Sequence, residues 1–121
     1  MIETVGQIGI PSRDVSRSVA FYRDILRIPL LFEAPRLAFF ECGAVRLSIG
    51  PPREKISHGA TVYFKVGDIH QAAADLQSRG VEFDRQPHLV AKMPDHEIWM
   101  AFFHDPDGNP LALMGAIRPP N

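Results

Sequence analysis

Five histidines, a lone cysteine and an acidic turn bracketed by prolines are the residues of this 121-residue chain with the most obvious chemical potential. The run His104–Gly115 (HDPDGNPLALMG) sets Pro106, Gly108 and Pro110 as a tight reversal, then leads into an apolar stretch without charge. Asp95-His96-Glu97 places an imidazole between two carboxylates, a pattern suited to general-base work because a neighbouring carboxylate tunes the ring. His96 and Glu97 are therefore the candidate catalytic residues, set against the plainer reading of an ordinary polar loop. His88 lies in the same loop, His104 supports the turn, and His58 and His70 read as scattered surface histidines. Glu41 and Arg46 are expected to face each other across a hairpin. As a cross-strand ion pair they would contribute a few tenths to about 1 kcal/mol, and with Lys65 they would also orient an anionic ligand. Cys42 has no partner for an intrachain disulfide, and no cysteine spacing suggests zinc.

Bulk properties narrow the field. Net charge is −1 with the basic residues scattered, which argues against the concentrated basic face that nucleic acid or a membrane surface demands. The opening MIETVGQIGI has no basic segment leading into a sustained apolar one, and no apolar run is long enough to cross a bilayer. A cytoplasmic protein of one domain, residues 1–121, is the expectation.

The elements that must position these residues repeat. Gln7–Ile10 alternates as a strand, and Val15, Val19, Tyr22, Ile25 and Leu26 recur at helical spacing after it. Strand-like segments follow at Leu31–Glu33, Leu37–Glu41 and Val45–Ile49. Asp68 falls 54 residues after Asp14, with the strand Thr61–Val66 before it and a helix through Ile69, Ala72, Ala73 and Leu76 after it. Gly80 closes that helix, and strands are expected at Val81–Phe83, Ile98–His104 and Leu111–Met114. A strand, a helix and three strands thus occur twice, in pseudo-repeats at about 5–50 and 59–116. Gly50–Gly59 reads as the linker, and Asp84–Glu97 as an extra loop with no counterpart in the first half.

Strand parity then sorts side chains by face. Ile8, Ile10, Leu47, Ile49, Val62, Phe64, Phe103, Leu111 and Leu113 belong on the helix side. Gln7, Arg46, Ser48, Thr61, Tyr63, Lys65, Met100, Phe102, Ala112 and Met114 belong on the far side. Phe39, Glu41 and Trp99 complete the expected ligand-binding set, with aromatic walls suited to planar organic molecules.

QIGIPSRDVSRSVAFYRDILRIPL, VYFKVGDIHQAAADLQSRGVEF and FFHDPDGNPLALM together resemble the vicinal oxygen chelate superfamily, the glyoxalase, bleomycin resistance and dioxygenase relatives, over nearly the whole chain. The resemblance implies an α+β fold of two tandem βαβββ modules forming curved mixed sheets around a cavity. In metal-dependent members four strands each supply one His, Gln or Glu to a divalent ion. Those positions fall here on Gln7, Ser48, Thr61 and Ala112. The turn survives, and the carboxylate it would deliver is a methyl group. One amide, two hydroxyls and a methyl are poor company for a transition ion, so neither a metal nor another cofactor is expected. The resemblance then implies a binder of small organic molecules, like the metal-free antibiotic-resistance members, acting as a homodimer. The second reading is a lyase, isomerase or epimerase acting on a small carbonyl compound or thioester. Either it has a non-standard divalent site, or His96 or Glu97 takes the proton. A third is a protein-interaction module whose cavity is filled by Met100, Phe102 and Met114.

Overall fold

A computed structural model describes residues 1, 3, 5–52 and 60–119. The chain forms two compact units, residues 1–59 and 60–121. In the first, β1 (Gln7–Pro11) leads to α1 (Val15–Ala20), which runs on as a π-helical turn over Phe21–Ile25. Strands β2 (Leu30–Ala34), β3 (Leu37–Cys42) and β4 (Val45–Gly50) follow. The sheet order is β1-β4-β3-β2, with β1 parallel to β4 and the other pairs antiparallel. The second unit repeats the plan with β5 (Val62–Lys65), α2 (Ile69–Ser78), β6 (Arg85–Lys92), β7 (Glu97–His104) and β8 (Pro110–Ile117), in the order β5-β8-β7-β6. The twofold βαβββ expectation is met.

Both helices start where an aspartate can cap them. Asp14 accepts the Arg17 N–H at 3.1 Å, and Asp68 accepts the Gln71 N–H at 3.1 Å, each satisfying an amide that the first turn leaves without an intrahelical partner. α2 ends at Ser78 with Arg79 as its C-cap, and Gly80 follows at a φ of +96° that costs a glycine little. In α1 the wider turn, closed by Leu26 N–H to the Phe21 carbonyl at 3.0 Å, buries both Phe21 and Tyr22. The Tyr22 ring lies 5.9 Å from Phe40 in the first core, where Leu47 and Ile49 are also buried. In the second, α2, with Ile69, Ala73 and Leu76 buried, packs on β7 and β8, whose Ala101, Phe103, Leu111 and Leu113 are buried.

Two expectations need correcting. Val81–Phe83 is not a strand: the Val81 N–H donates to the Leu76 carbonyl at 3.0 Å, and the Phe83 ring lies 5.4 Å from Phe103. These apolar residues plug the core beneath α2. Asp84–Glu97 is not a loop without a counterpart but holds β6, the equivalent of β2. Its alternation is scrambled by register shifts between Arg85 and His88 and between Leu89 and Ala91. Its Pro87 is tolerated because β6 is an edge strand. Most of the expected linker lies outside the described residues.

Candidate functional site

On the first unit's far face, register sets Gln7 beside Arg46, Arg46 beside Glu41, and Ser48 between Gly9 and Phe39. The Gln7 amide Nε2–H donates to the Ser48 hydroxyl at 3.3 Å. The neighbouring row is aromatic. Phe39 stacks on Phe32 with centroids 4.6 Å apart and planes 26° from parallel, and the Arg46 guanidinium stands 5.7 Å from the Phe39 centroid. Glu41 and Arg46 are direct cross-strand partners as expected, yet no ion pair joins them among the described residues. The guanidinium lies over the ring instead, where the quadrupole attracts it and its stem covers apolar surface.

On the second unit's far face two rows cross the sheet. One runs Tyr63, Ala112, Phe102; the other runs Lys65, Met114, Met100, His88. The expected β7–β8 register therefore holds, with Phe103 on the helix side opposite Leu111. Tyr63 and Phe102 flank Ala112 and approach edge to face at 6.2 Å; Ala112 itself has 0% exposure. Thr61, half-buried, immediately precedes β5.

The turn before β8 owes its definition to Asp105, which is buried. Its carboxylate accepts the Asp107 and Asn109 amide N–H groups, each at 2.9 Å, and the Asn109 Nδ2–H at 2.8 Å. Gly108, at φ +83°, supplies the left-handed residue the reversal requires. Asp105 is thus the structural core of the acidic turn, a role that burying a carboxylate demands hydrogen bonds to sustain.

Three sequence candidates do not join this face. Trp99 and Glu97 share parity with the buried Ala101 and Phe103, so they stand on the helix side. There the Trp99 Nε1–H donates to Glu97 Oε1 at 3.0 Å, and the indole meets His70 of α2 at 5.2 Å. His96 precedes β7, six residues from Phe102 and so about 20 Å away along an extended strand. Its Nδ1 lies 2.6 Å from Asp95, which also accepts from Arg118 at 3.1 Å. Hydrogen bonds from His96 and then Arg118 hold the Asp95 carboxyl below the usual range. Glu97 and His96 are therefore committed to other partners and placed away from the aromatic row.

His88, within the expected loop Asp84–Glu97, belongs instead to β6. The β6 bulge brings its ring within 5.8 Å of Phe102. Only pairing with β7 reveals this, because the shifted register hides the strand period. Phe32 was missed likewise, since nothing in Leu31–Glu33 by itself says that its second residue stacks on Phe39.

The four positions at which the resemblance expects metal ligands hold Gln7, Ser48, Thr61 and Ala112, and Ala112 offers no donor atom and is fully buried. No group of three or more His, Cys, Asp or Glu suited to a metal occurs among the described residues. The donor set does not fit the ion that metal-dependent members hold.

Comparison with known proteins accords with this architecture. Residues 4–113 match the model of the Glyoxalase/Bleomycin resistance protein/Dioxygenase superfamily. The uncharacterized protein YraH of Bacillus subtilis is 28% identical over 126 aligned positions, covering 88% of this chain and 94% of that one. Metallothiol transferase FosB of Staphylococcus saprophyticus is 31% identical over 65 positions, half of this chain and 43% of the other. Lactoylglutathione lyase from Agrobacterium tumefaciens shares the fold at a TM-score of 0.78 and 19% identity, covering 95% of each chain. A superfamily member from Sphaerobacter thermophilus superposes at 0.76 and 23% identity, covering 94% of this chain and 98% of that one.

Proposed function

The chain belongs to the Glyoxalase/Bleomycin resistance protein/Dioxygenase superfamily, and from that premise we propose that it binds small, flat organic molecules without a metal ion. The observation that carries this reading is Ala112. At the position where the resemblance places a carboxylate ligand, a buried methyl lies between the partners Tyr63 and Phe102. An aromatic and thioether surface binds by dispersion and apolar burial, with polar groups fixing orientation. Met100 and Met114 supply the thioethers. The ligand-binding roles of Gln7, Ser48 and Arg46 on the first unit, and of Thr61 and Lys65 on the second, belong to the same proposal.

Two of the similar proteins are named as enzymes, a lactoylglutathione lyase and a metallothiol transferase. The donor set here favours binding. Proton abstraction by Glu97 loses support because its carboxylate is bonded to Trp99 on the helix side. The proposal places the protein in the cytoplasm as a homodimer; exposed Leu31 and Phe32 on edge strand β2 and Leu89 and Val90 on edge strand β6 offer apolar surface for a second copy. No helix among the described residues is long and apolar enough to cross a membrane.

Elemental analysis of tag-free protein, followed by thermal shift with divalent ions and with a panel of flat aromatic compounds, tests the reading. Stabilisation by aromatics and not by ions is expected. Stoichiometric metal in the purified protein, with ion-dependent stabilisation, would reverse it.

A further inference from the structure

Resting on that binding reading, we infer that the second unit's far face selects flat rings bearing an O–H or N–H group, and that His88 is the acceptor that reads this donor. His88 lies opposite Met100 in the register, and its ring meets Phe102 at 5.8 Å with planes 34° apart. Phe102 in turn meets Tyr63 at 6.2 Å. Three rings thus extend across one sheet face, with Tyr63 edge-on to Phe102 at 82° and the imidazole at its β6 end tilted 34° from Phe102.

The tautomer follows from one hydrogen bond. His88 Nδ1 lies 2.8 Å from the Gln86 carbonyl oxygen, which has no proton to give. Nδ1 is therefore the donor. A neutral imidazole carries one N–H, so Nε2 keeps its lone pair and can only accept. No described residue donates to Nε2. The backbone contact also fixes the ring's orientation, as second partners commonly do for working histidines. The register shift between Arg85 and His88 is the kind of bulge that re-aims a strand residue. A ligand donor meeting a pre-set acceptor on a half-buried ring gains a hydrogen bond; a ligand lacking that donor leaves the acceptor unpaired and is disfavoured.

2-Naphthol and 2-methoxynaphthalene, which share the fused ring and differ in the O–H, test this by calorimetric titration of the full chain. The native protein is expected to prefer the naphthol by about tenfold. His88→Phe, keeping a ring and losing the acceptor, should erase the preference by weakening the naphthol alone, and His88→Gln should restore part of it. Phe102→Ala should weaken both compounds. Equal affinity of the native protein for the two overturns the role of His88 and leaves the binding reading standing. Binding of neither overturns both.

Nitrogen-15 spectra of the unmodified protein supply a readout independent of the variants' folding. The free protein should show a protonated Nδ1, and naphthol but not its ether should move the Nε2 resonance. A protonated Nε2 in the neutral ring, or an Nε2 unmoved by bound naphthol, would rule the assignment out.

Discussion

Tyr63 and Phe102 approach edge to face at 6.2 Å from strands on either side of Ala112. Restoring the carboxylate that the family pattern expects there should therefore harm the protein. Ala112→Glu must fit a longer, charged side chain at a fully buried site, at an expected cost of about 3 kcal/mol from overpacking and desolvation. Urea unfolding measures the loss, and elemental analysis of the variant should find no stoichiometric ion. A variant that is stabilised and loads zinc would show that the site had kept its capacity for metal.

Asp105 gives a second prediction. Removing its carboxylate strands at least three donors, from Asp107 and Asn109. Asp105→Ala should cost about 2–4 kcal/mol, and Asp105→Asn roughly half as much because one acceptor oxygen remains. The denaturation midpoint should fall with its slope unchanged. A neutral alanine variant would mean that the turn is held by its backbone alone.

Much of this was legible beforehand, for identifiable reasons. Asp14 and Asp68 announce the helices because a capping carboxylate acts over three residues and needs no tertiary partner. The pairing of Phe102 with Ala112 could be read because the D-P-D-G turn fixes the strand register. What failed was set at longer range. Val81 and Phe83 look like strand residues until the underside of α2 claims them. Bulges in β6 defeat the period-two reading and so hid His88. Trp99 reads as a ligand-binding aromatic beside Phe39 and Phe102, yet its parity with Ala101 and Phe103 sets it on the helix side.

The acid limb of the stability curve should carry a contribution from Asp95. Its carboxyl is held below the ordinary range by hydrogen bonds from His96 and Arg118, so near the unfolded value of about 4 the unfolded chain binds more protons. Stability from this group is present above that pH and lost as pH falls through the lower, folded value. Asp95→Asn should flatten the melting temperature's dependence on pH in that window. The difference from the native protein should shrink in 1 M salt, because the group is exposed. An unchanged acid limb would remove Asp95 from the account.

Arg46 should be coupled to Phe39 and not to Glu41. A double-mutant cycle on Arg46 and Phe39 is expected to give about 0.5–1 kcal/mol, the range for an exposed cation over a ring. The cycle on Arg46 and Glu41 should give less than about 0.3 kcal/mol, since exposed charges without close contact contribute little. The reverse order would restore the cross-strand ion pair that register alone suggests.

Glu97 separates a structural carboxylate from a working base. Its Oε1 accepts the indole N–H of Trp99, the chain's single tryptophan, on the helix side of β7. Glutamine offers the same acceptor, so Glu97→Gln should change stability by under about 0.5 kcal/mol, whereas Glu97→Leu leaves a half-buried N–H unpaired and should cost about 1–2 kcal/mol. Trp99 emission should shift in the leucine variant and stay near native in the glutamine one. Naphthol binding, placed on the opposite face, should persist in both variants at native affinity. Loss of that binding in the glutamine variant, with its fold intact, would mean that the carboxylate's charge reaches the ligand and that the helix-side assignment of Glu97 misjudges its role.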